Sequence, residues 1–379
     1  MGHLAPKPTL AETSGTGQGP SGGASGRTEP TLALKLVCAY SLSKHVYGGF
    51  GMKRRELIAF ATGVLIFPLV SSLAQAPPKT VRLGILWVGV TREDADKLAI
   101  EPFLGELAKL GYVEGQNLIV ERRYAGNLAD LPALAAEIIA FQPDLIFAPP
   151  APATAAVKAL TTTIPIVFCF VNEPVALGFA QSLAHPGGNL TGMSNFSVDI
   201  AGKRVQFLKE LVPGMTRLAA WYNPEAVNDA VELKAVEDAA TKLGMQFRAI
   251  AANKPKEYEA AAAATGEWGA HAVYLNSNPA AAANRKQIIA LMAASKMPTM
   301  YFYSGFVVDG GLIAYAANFP DLARRSATYA AKIFGGAKPA DLPIEQPVLL
   351  ELTINMKTAQ ALGLRIPPSL LALATEVIE

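Results

Sequence analysis

Buried-strand patterns alternate with amphipathic helical patterns along the chain from residue 79 onward. A continuous apolar run at residues 81–88 is typical of a parallel strand covered on both faces. Further strands are predicted at 117–124, 144–148 and 164–171, with helices at 94–110 and 128–141 between them. Strands that alternate with helices in this way predict an α/β fold with parallel sheets and right-handed crossovers.

The second half of the chain repeats the first. LGILWVG from residue 83 returns as LAAWYNP from 218, KLG at 109–111 returns at 242–244, and IPIVF from 164 returns as MPTMYF from 297. The repeat predicts two copies of one α/β unit. We expect the strand and helix after residue 310 to return to the first unit. The predicted lobes are therefore residues 77–194 with 311–335, and 195–310 with 336–379.

The first 76 residues have the pattern of an export signal. Lys53, Arg54 and Arg55 precede an apolar run at 57–73 and the small residues around Ala76. This pattern predicts a signal peptide at 52–76, cleaved near Ala76, and hence a periplasmic protein. A membrane anchor is the alternative, and the two arginines leave twin-arginine export open. Residues 1–51 do not fit an exported protein, and we interpret them as a disordered or spurious extension upstream of a start at Met52.

Charge and cysteine content narrow the class of protein. The whole chain has a net charge of +2, but the portion after residue 76 is close to neutral and has no long run of lysine or arginine. Nucleic-acid binding needs clustered positive charge, so it is disfavoured. Cys169 lies in an apolar strand pattern and is predicted to be a buried apolar residue rather than a nucleophile.

Candidate ligand-binding residues follow from the predicted strand ends. Ligands of doubly wound sheets lie outside the carboxyl ends of the strands, and amides, hydroxyls and aromatic rings there suit a small organic ligand. Ordinary turn chemistry is the alternative for each asparagine and proline. The candidates are Trp87, Val88, Pro150, Ala151, Thr154, Asn172, Glu173, Asn195, Asn223, Asn276, Asn278, Tyr301 and Tyr303.

Several longer motifs resemble one family of transport proteins. They are GYVEGQN at 111–117, TTTIPIVF at 161–168, LAHPGGNLTGMS at 183–194, KRVQFLKELVPG at 203–214, GGAKPADLPIEQP at 335–347 and INMKTAQALGLRIPPSLL at 354–371. Together they resemble the ABC transporter substrate-binding family that includes tryptophan- and aromatic-amino-acid-binding proteins. The resemblance implies a type I periplasmic-binding-protein fold, with two doubly wound parallel-sheet lobes joined by a multi-strand hinge. It also implies a monomer that delivers ligand to a membrane permease with its ATPase.

This chain departs from the family at two predicted strand ends. Members commonly have Gly-Asp-Pro where this chain has Asn172-Glu173-Pro174, and often an acid where it has Asn276-Ser277-Asn278. The ligand is therefore left open between an aromatic or branched amino acid and an aromatic carboxylate. With an amino acid, Glu173 would receive the ammonium group.

Other functions remain as alternatives. A sensor that feeds a membrane receptor would have the same sequence pattern. An enzyme is the rival class, but no G-x-S-x-G elbow, Walker-type loop or G-x-G-x-x-G motif follows a predicted strand. A related transcription regulator would begin with a helix-turn-helix instead of an export signal. We expect no cofactor and no metal.

Overall fold

The computed structural model describes residues 80–379. The predicted signal peptide and the extension before it lie outside the described residues. No helix among those described is long and apolar enough to cross a membrane.

The first lobe is built on a five-stranded parallel sheet with the order β2-β1-β3-β4-β5. Its first strand is buried almost throughout, as the continuous apolar run predicted. The strands are β1 (Val81–Val88), β2 (Leu118–Ala125), β3 (Leu145–Phe147), β4 (Ile166–Val171) and β5 (Leu190–Ser194). The helices between them are α1 (Arg92–Ala95), which continues through a π-helical turn (Asp96–Ile100) into α2 (Glu101–Lys109), then α3 (Leu131–Ala140) and α4 (Ala151–Lys158).

The second lobe is built on a seven-stranded sheet with the order β12-β11-β10-β9-β8-β6-β7. Its strands are β6 (Arg217–Tyr222), β7 (Gln246–Ala251), β8 (Ala272–Leu275), β9 (Thr299–Tyr301), β10 (Ile313–Ala317), β11 (Leu350–Asn355) and β12 (Glu376–Ile378). Its helices are α5 (Ser197–Leu211), α6 (Val227–Lys242), α7 (Pro255–Glu267), α8 (Pro279–Ala283), α9 (Arg285–Ala294) and α10 (Ser304–Val308), with α12 (Met356–Ala361) and α13 (Pro368–Leu373) near the end of the chain.

The two sheets share one topology. The order β7-β6-β8-β9-β10 in the second sheet matches β2-β1-β3-β4-β5 in the first. The repeated sequence segments therefore correspond to two copies of one doubly wound unit. To this unit the second lobe adds β11, antiparallel to β10, and β12, parallel to β11.

The chain returns to the first lobe later than residue 311. Strand β10 pairs with β9 and β11 in the second sheet, and its Ile313 packs in the core of that lobe. The helix that follows, α11 (Phe319–Phe334), packs against β4 and α2 of the first lobe. After α11 the chain passes β5 of the first lobe, where the backbone N–H of Ser194 donates to the carbonyl oxygen of Glu345 (2.9 Å). The chain then enters β11. The strand was expected in the first lobe, but its apolar side chains complete the second core.

Candidate functional site

A cavity lies between the two lobes at the carboxyl ends of their strands. The cleft region contains about 620 Å³ of space between protein atoms, part of it open to solvent. Both lobes and the start of α11 line it. Eight of the residues predicted from the strand ends line this cavity: Trp87, Val88, Pro150, Ala151, Asn172, Asn195, Asn278 and Tyr303.

The lobes meet around this cavity. Gly89 of the first lobe has a φ of +117°, and a Cβ atom there would lie 3.4 Å from the Cβ of Pro279 in the second lobe. Nearby, the Arg285 guanidinium of α9 lies 2.9 Å from the carboxylate of Asp94 in α1. These contacts hold the two cavity walls close together.

Two of the predicted residues are part of the protein core instead. Tyr301 is buried, and its ring stacks on Phe306 with 4.7 Å between the centroids. Thr154 is also buried, and its hydroxyl donates to the carbonyl oxygen of Ala148 at 2.7 Å. Trp221, near the end of the equivalent strand β6, is likewise buried in the core.

Two predicted asparagines support the cavity wall from behind. The backbone N–H of Asn223 donates to the Asp229 carboxylate (2.7 Å), and the Asn276 side chain donates to the Asp229 carbonyl oxygen (3.0 Å). Neither asparagine lines the cavity, whereas Asn228, the residue before Asp229, does. Both asparagines therefore fix the first turn of α6 at the cavity.

Glu173 lies beside the cavity without lining it. It follows Asn172, is partly buried, and has a left-handed φ of +50°. Burial raises the pKa of Glu173, and the neighbouring charge of Asp199 raises it further. The carboxyl group predicted to receive an ammonium group is therefore outside the lining in this structure.

An aromatic wall forms one side of the cavity. It consists of Trp87, Phe170, Phe319 and Tyr303, all of which line the cavity. Phe319 stacks on Phe170 (4.5 Å between centroids) and on Tyr303 (5.4 Å), and Phe170 meets Trp87 edge to face at 6.2 Å. Residues from both lobes and from the crossover between them are thus joined in one apolar surface.

Sequence reasoning missed Phe170 and Phe319. Phe170 has a left-handed φ of +61° at an irregularity between β4 and β5, and Phe319 begins the helix that crosses between lobes. Phe319 could have been predicted, because it follows the strand Ile313–Ala317. Residues directly after a parallel strand lie at the same edge of the sheet as the other predicted binding residues.

Three asparagines in the lining each accept a backbone hydrogen bond through the side-chain oxygen. The backbone N–H of Ser197 donates to Asn172 (3.4 Å) and to Asn195 (3.3 Å), and the backbone N–H of Ala281 donates to Asn278 (2.7 Å). An asparagine whose oxygen accepts from the backbone has its NH2 group left for another partner. The lining asparagines are therefore positioned as hydrogen-bond donors.

Two buried donors in cavity-lining residues have no hydrogen-bond partner among residues 80–379. They are Nδ2 of Asn278 and Nε1 of Trp87, each in a side chain that is 3 % exposed. Buried polar groups are nearly always hydrogen-bonded, and an unpaired one costs about 1–3 kcal/mol. Both donors belong to residues that line the cavity, and the two nitrogen atoms themselves are buried in this structure.

The cavity lining contains no charged side chain, but a buried ion pair lies behind it. Arg204 and Glu232 are 2 % and 0 % exposed and 3.1 Å apart. The Glu232 carboxylate also accepts from the Ser197 hydroxyl (3.0 Å), the Tyr274 hydroxyl (2.8 Å) and the backbone N–H of Ser277 (3.1 Å). The pair thereby fixes the segments on which the cavity asparagines lie.

The part of the chain that the structure describes has no group of three or more His, Cys, Asp or Glu residues arranged to hold a metal ion. Its free cysteine, Cys169, is fully buried in β4. Burial raises the pKa of its thiol, so the environment does not favour a reactive thiolate.

Comparison with known proteins assigns the family. The model of the family described as ABC transporter substrate binding protein matches residues 89–378. The chain belongs to this family. The resemblance stated from the sequence motifs is therefore confirmed.

Relatives of this substrate-binding protein include a tyrosine-binding protein from Clostridioides difficile (strain R20291), 25% identical over 268 residues, which are 69% of this chain and 76% of the relative. A conserved domain protein from Vibrio cholerae O1 biovar El Tor has a solved structure with a TM-score of 0.74 and 27% identity, covering 79% of this chain and 100% of that one. A Streptococcus pneumoniae domain in complex with L-Trp has the same TM-score and the same coverage of both chains at 24% identity. These structures confirm the two-lobed periplasmic-binding-protein fold.

Proposed function

We propose that this protein is the exported solute-binding component of an ABC importer. It closes its two lobes on a small, apolar organic ligand with one polar end and delivers that ligand to a membrane permease driven by an ATPase. The observation that carries the proposal is the cavity between the lobes, where an aromatic wall faces hydrogen-bond donors. The relatives named for tyrosine and for L-Trp support a ligand with an aromatic ring.

Closure follows from the distribution of the cavity residues. Trp87 and Phe170 belong to the first lobe, whereas Asn278 and Tyr303 belong to the second. A ligand that contacts all four gains affinity only when the lobes are together, and such differential affinity shifts the population toward the closed form. Hinge closure of periplasmic binding proteins is a general example of this behaviour.

Ligand binding is tested by calorimetry of the purified protein with a panel of aromatic and branched amino acids and aromatic carboxylates. For any member that binds, Tyr303→Ala should weaken binding roughly tenfold, since it removes an aromatic contact and its buried area. Tyr112→Ala is the matched control, because Tyr112 packs on Phe334 away from the cavity. Equal affinities of the two variants would place the ligand elsewhere.

Export is a separate part of the proposal and has its own test. The pattern ending at Ala76 supports a cleaved signal and a periplasmic location. Sequencing the amino terminus of the exported protein should give Pro77 as the first residue. A mature terminus upstream of Met52 would contradict both the start and the cleavage site.

A further inference from the structure

We infer that the cavity selects a carboxylate that lacks an ammonium group, and so binds an aromatic acid in preference to an α-amino acid. This inference rests on the proposed function and specifies its ligand class. It follows from which hydrogen-bonding groups the cavity offers and which it lacks.

Three of the lining asparagines and Trp87 have side-chain N–H groups that a ligand can use. The oxygens of Asn172, Asn195 and Asn278 already accept backbone N–H groups, so their NH2 groups remain. The indole N–H of Trp87 and Nδ2 of Asn278 are buried without a partner. A carboxylate accepts several hydrogen bonds and donates none, so it is complementary to this set.

A helix N-terminus adds positive potential at the same place. Pro150 and Ala151, at the start of α4, line the cavity. No side chain caps this helix, and its first turn contains no acid. Pro150 and Pro152 have no N–H, so the backbone donors of this first turn are those of Ala151 and Ala153, and they and the helix dipole favour an anion. The unpaired donors of Trp87 and Asn278, in the same lining, are independent signs of an acceptor ligand.

An ammonium group would have no carboxylate partner in the lining. Burying a charge without a partner is costly, and the nearby acids do not supply one. Glu173 and Asp229 are adjacent in sequence to lining residues but do not line the cavity themselves. One oxygen of the Asp229 carboxylate accepts the backbone N–H of Asn223, and the other is buried behind the wall, outside the cavity lining.

The aromatic wall does not replace the missing carboxylate. A cation binds over the face of an aromatic ring. Phe319 stacks on both Phe170 and Tyr303, so these rings partly cover one another's faces. The stacked wall therefore offers an apolar surface for a ligand ring rather than a cage for a cation.

Three compounds, each with one phenyl group, separate the contribution of the carboxylate to binding from that of the ammonium group. They are 3-phenylpropanoate, L-phenylalanine and 2-phenylethylammonium, titrated into the purified full chain by calorimetry. We expect the acid to bind at least about tenfold more tightly than the amino acid, and the amine not to bind. L-Phenylalanine binding as tightly as the acid, or more tightly, would overturn the inference and leave the proposed function standing. Failure of all three to bind would overturn both.

Asn278→Asp reverses the chemistry of one donor at nearly constant shape. The retained oxygen can still accept from Ala281 at the start of α8, so the fold should persist. We expect affinity for the acid to fall at least about tenfold and the preference to move toward the amino acid. Asn127→Asp is the control for added charge. Asn127 is exposed, caps the short 3-10 helix Leu128–Asp130 and does not line the cavity. This variant should change neither the affinity for the acid nor the preference between acid and amino acid. An unchanged preference in Asn278→Asp would overturn the inference.

A second variant covers the case in which Asn278→Asp does not fold. Trp87→Phe removes the unpaired indole N–H and keeps an aromatic ring in the wall. It should weaken binding of 3-phenylpropanoate, because the carboxylate loses one hydrogen-bond donor. An unchanged affinity for 3-phenylpropanoate would show that the N–H does not contact the carboxylate and would contradict the inference.

Discussion

Replacing the buried carboxylate behind the cavity should strongly destabilise the protein. Glu232 is fully buried and accepts hydrogen bonds from Ser197, Arg204, Tyr274 and the backbone of Ser277. In Glu232→Gln the side chain keeps its length and one oxygen, but it loses the negative charge and the second acceptor. The variant therefore tests the charge and the acceptor rather than the packing volume.

The magnitude follows from these four contacts. If the new NH2 group faces the backbone N–H of Ser277, one buried donor is left unpaired, which costs about 1–3 kcal/mol. The three donors on the other oxygen lose charge assistance, worth about 1 kcal/mol each. The total is about 4–6 kcal/mol, which overlaps the ~3–5 kcal/mol typical of a broken buried ion pair.

Urea unfolding followed by circular dichroism measures this effect as a lower midpoint at constant slope. The matched control is Asp238→Asn, which breaks the pair of Asp238 with Lys234, whose side chains are 51% and 64% exposed. The control should lose less than about 1 kcal/mol. If Glu232→Gln loses no more than the control, the reasoning about the buried network is refuted.

Three further predictions follow. Arg285→Ala and Asp94→Ala should each weaken ligand binding by about 0.2–1 kcal/mol, because each removes the contact between Arg285 and Asp94 across the cleft. Calorimetry of these two variants and of the double variant checks this, and additive losses would contradict it. Burial raises the pKa of Asp229 from 3.8 to about 8, so the folded state holds a proton that the unfolded state releases above pH 4. The free energy of unfolding should therefore fall as pH rises toward 8, by at most about 1.4 kcal/mol per pH unit, and Asp229→Asn should flatten this dependence in urea titrations. Cys169 should resist thiol reagents in the folded protein and react after unfolding, as mass spectrometry can record; rapid labelling of the native protein would contradict its burial.

The fold was largely predictable because buried parallel strands are continuous apolar runs and the two halves echo each other. Strand β5, LTGMS, gave no comparable signal because its burial depends on pairing with β4 and on the later segment at Glu345. The sheet to which β10 belongs was not predictable either. The apolar sequence of β10 is compatible with a strand in either sheet. Its place in the second sheet is set by tertiary packing, in which Ile313 joins the core of the second lobe.

The site was predictable to the level of strand ends but not of side-chain direction. Asn276 and Asn278 are two residues apart at the end of β8, yet only Asn278 lines the cavity. Asn276 is drawn toward α6 by its hydrogen bond to Asp229. Likewise Tyr303 faces the cavity, whereas Tyr301 is in the core, still within β9. The direction of each side chain depends on the residue at which its strand ends and on the element that packs behind that strand.

Tryptophan fluorescence tests most directly whether ligand binds between the lobes. Of the three tryptophans, Trp87 lines the cavity, Trp221 is in the core and Trp268 is partly buried elsewhere. Titration with the tightest ligand of the panel should change the emission of the wild type and of Trp268→Phe, and Trp87→Phe should lose that change. A change that survives in Trp87→Phe and disappears in Trp268→Phe would contradict the central claim and place the ligand outside the cavity.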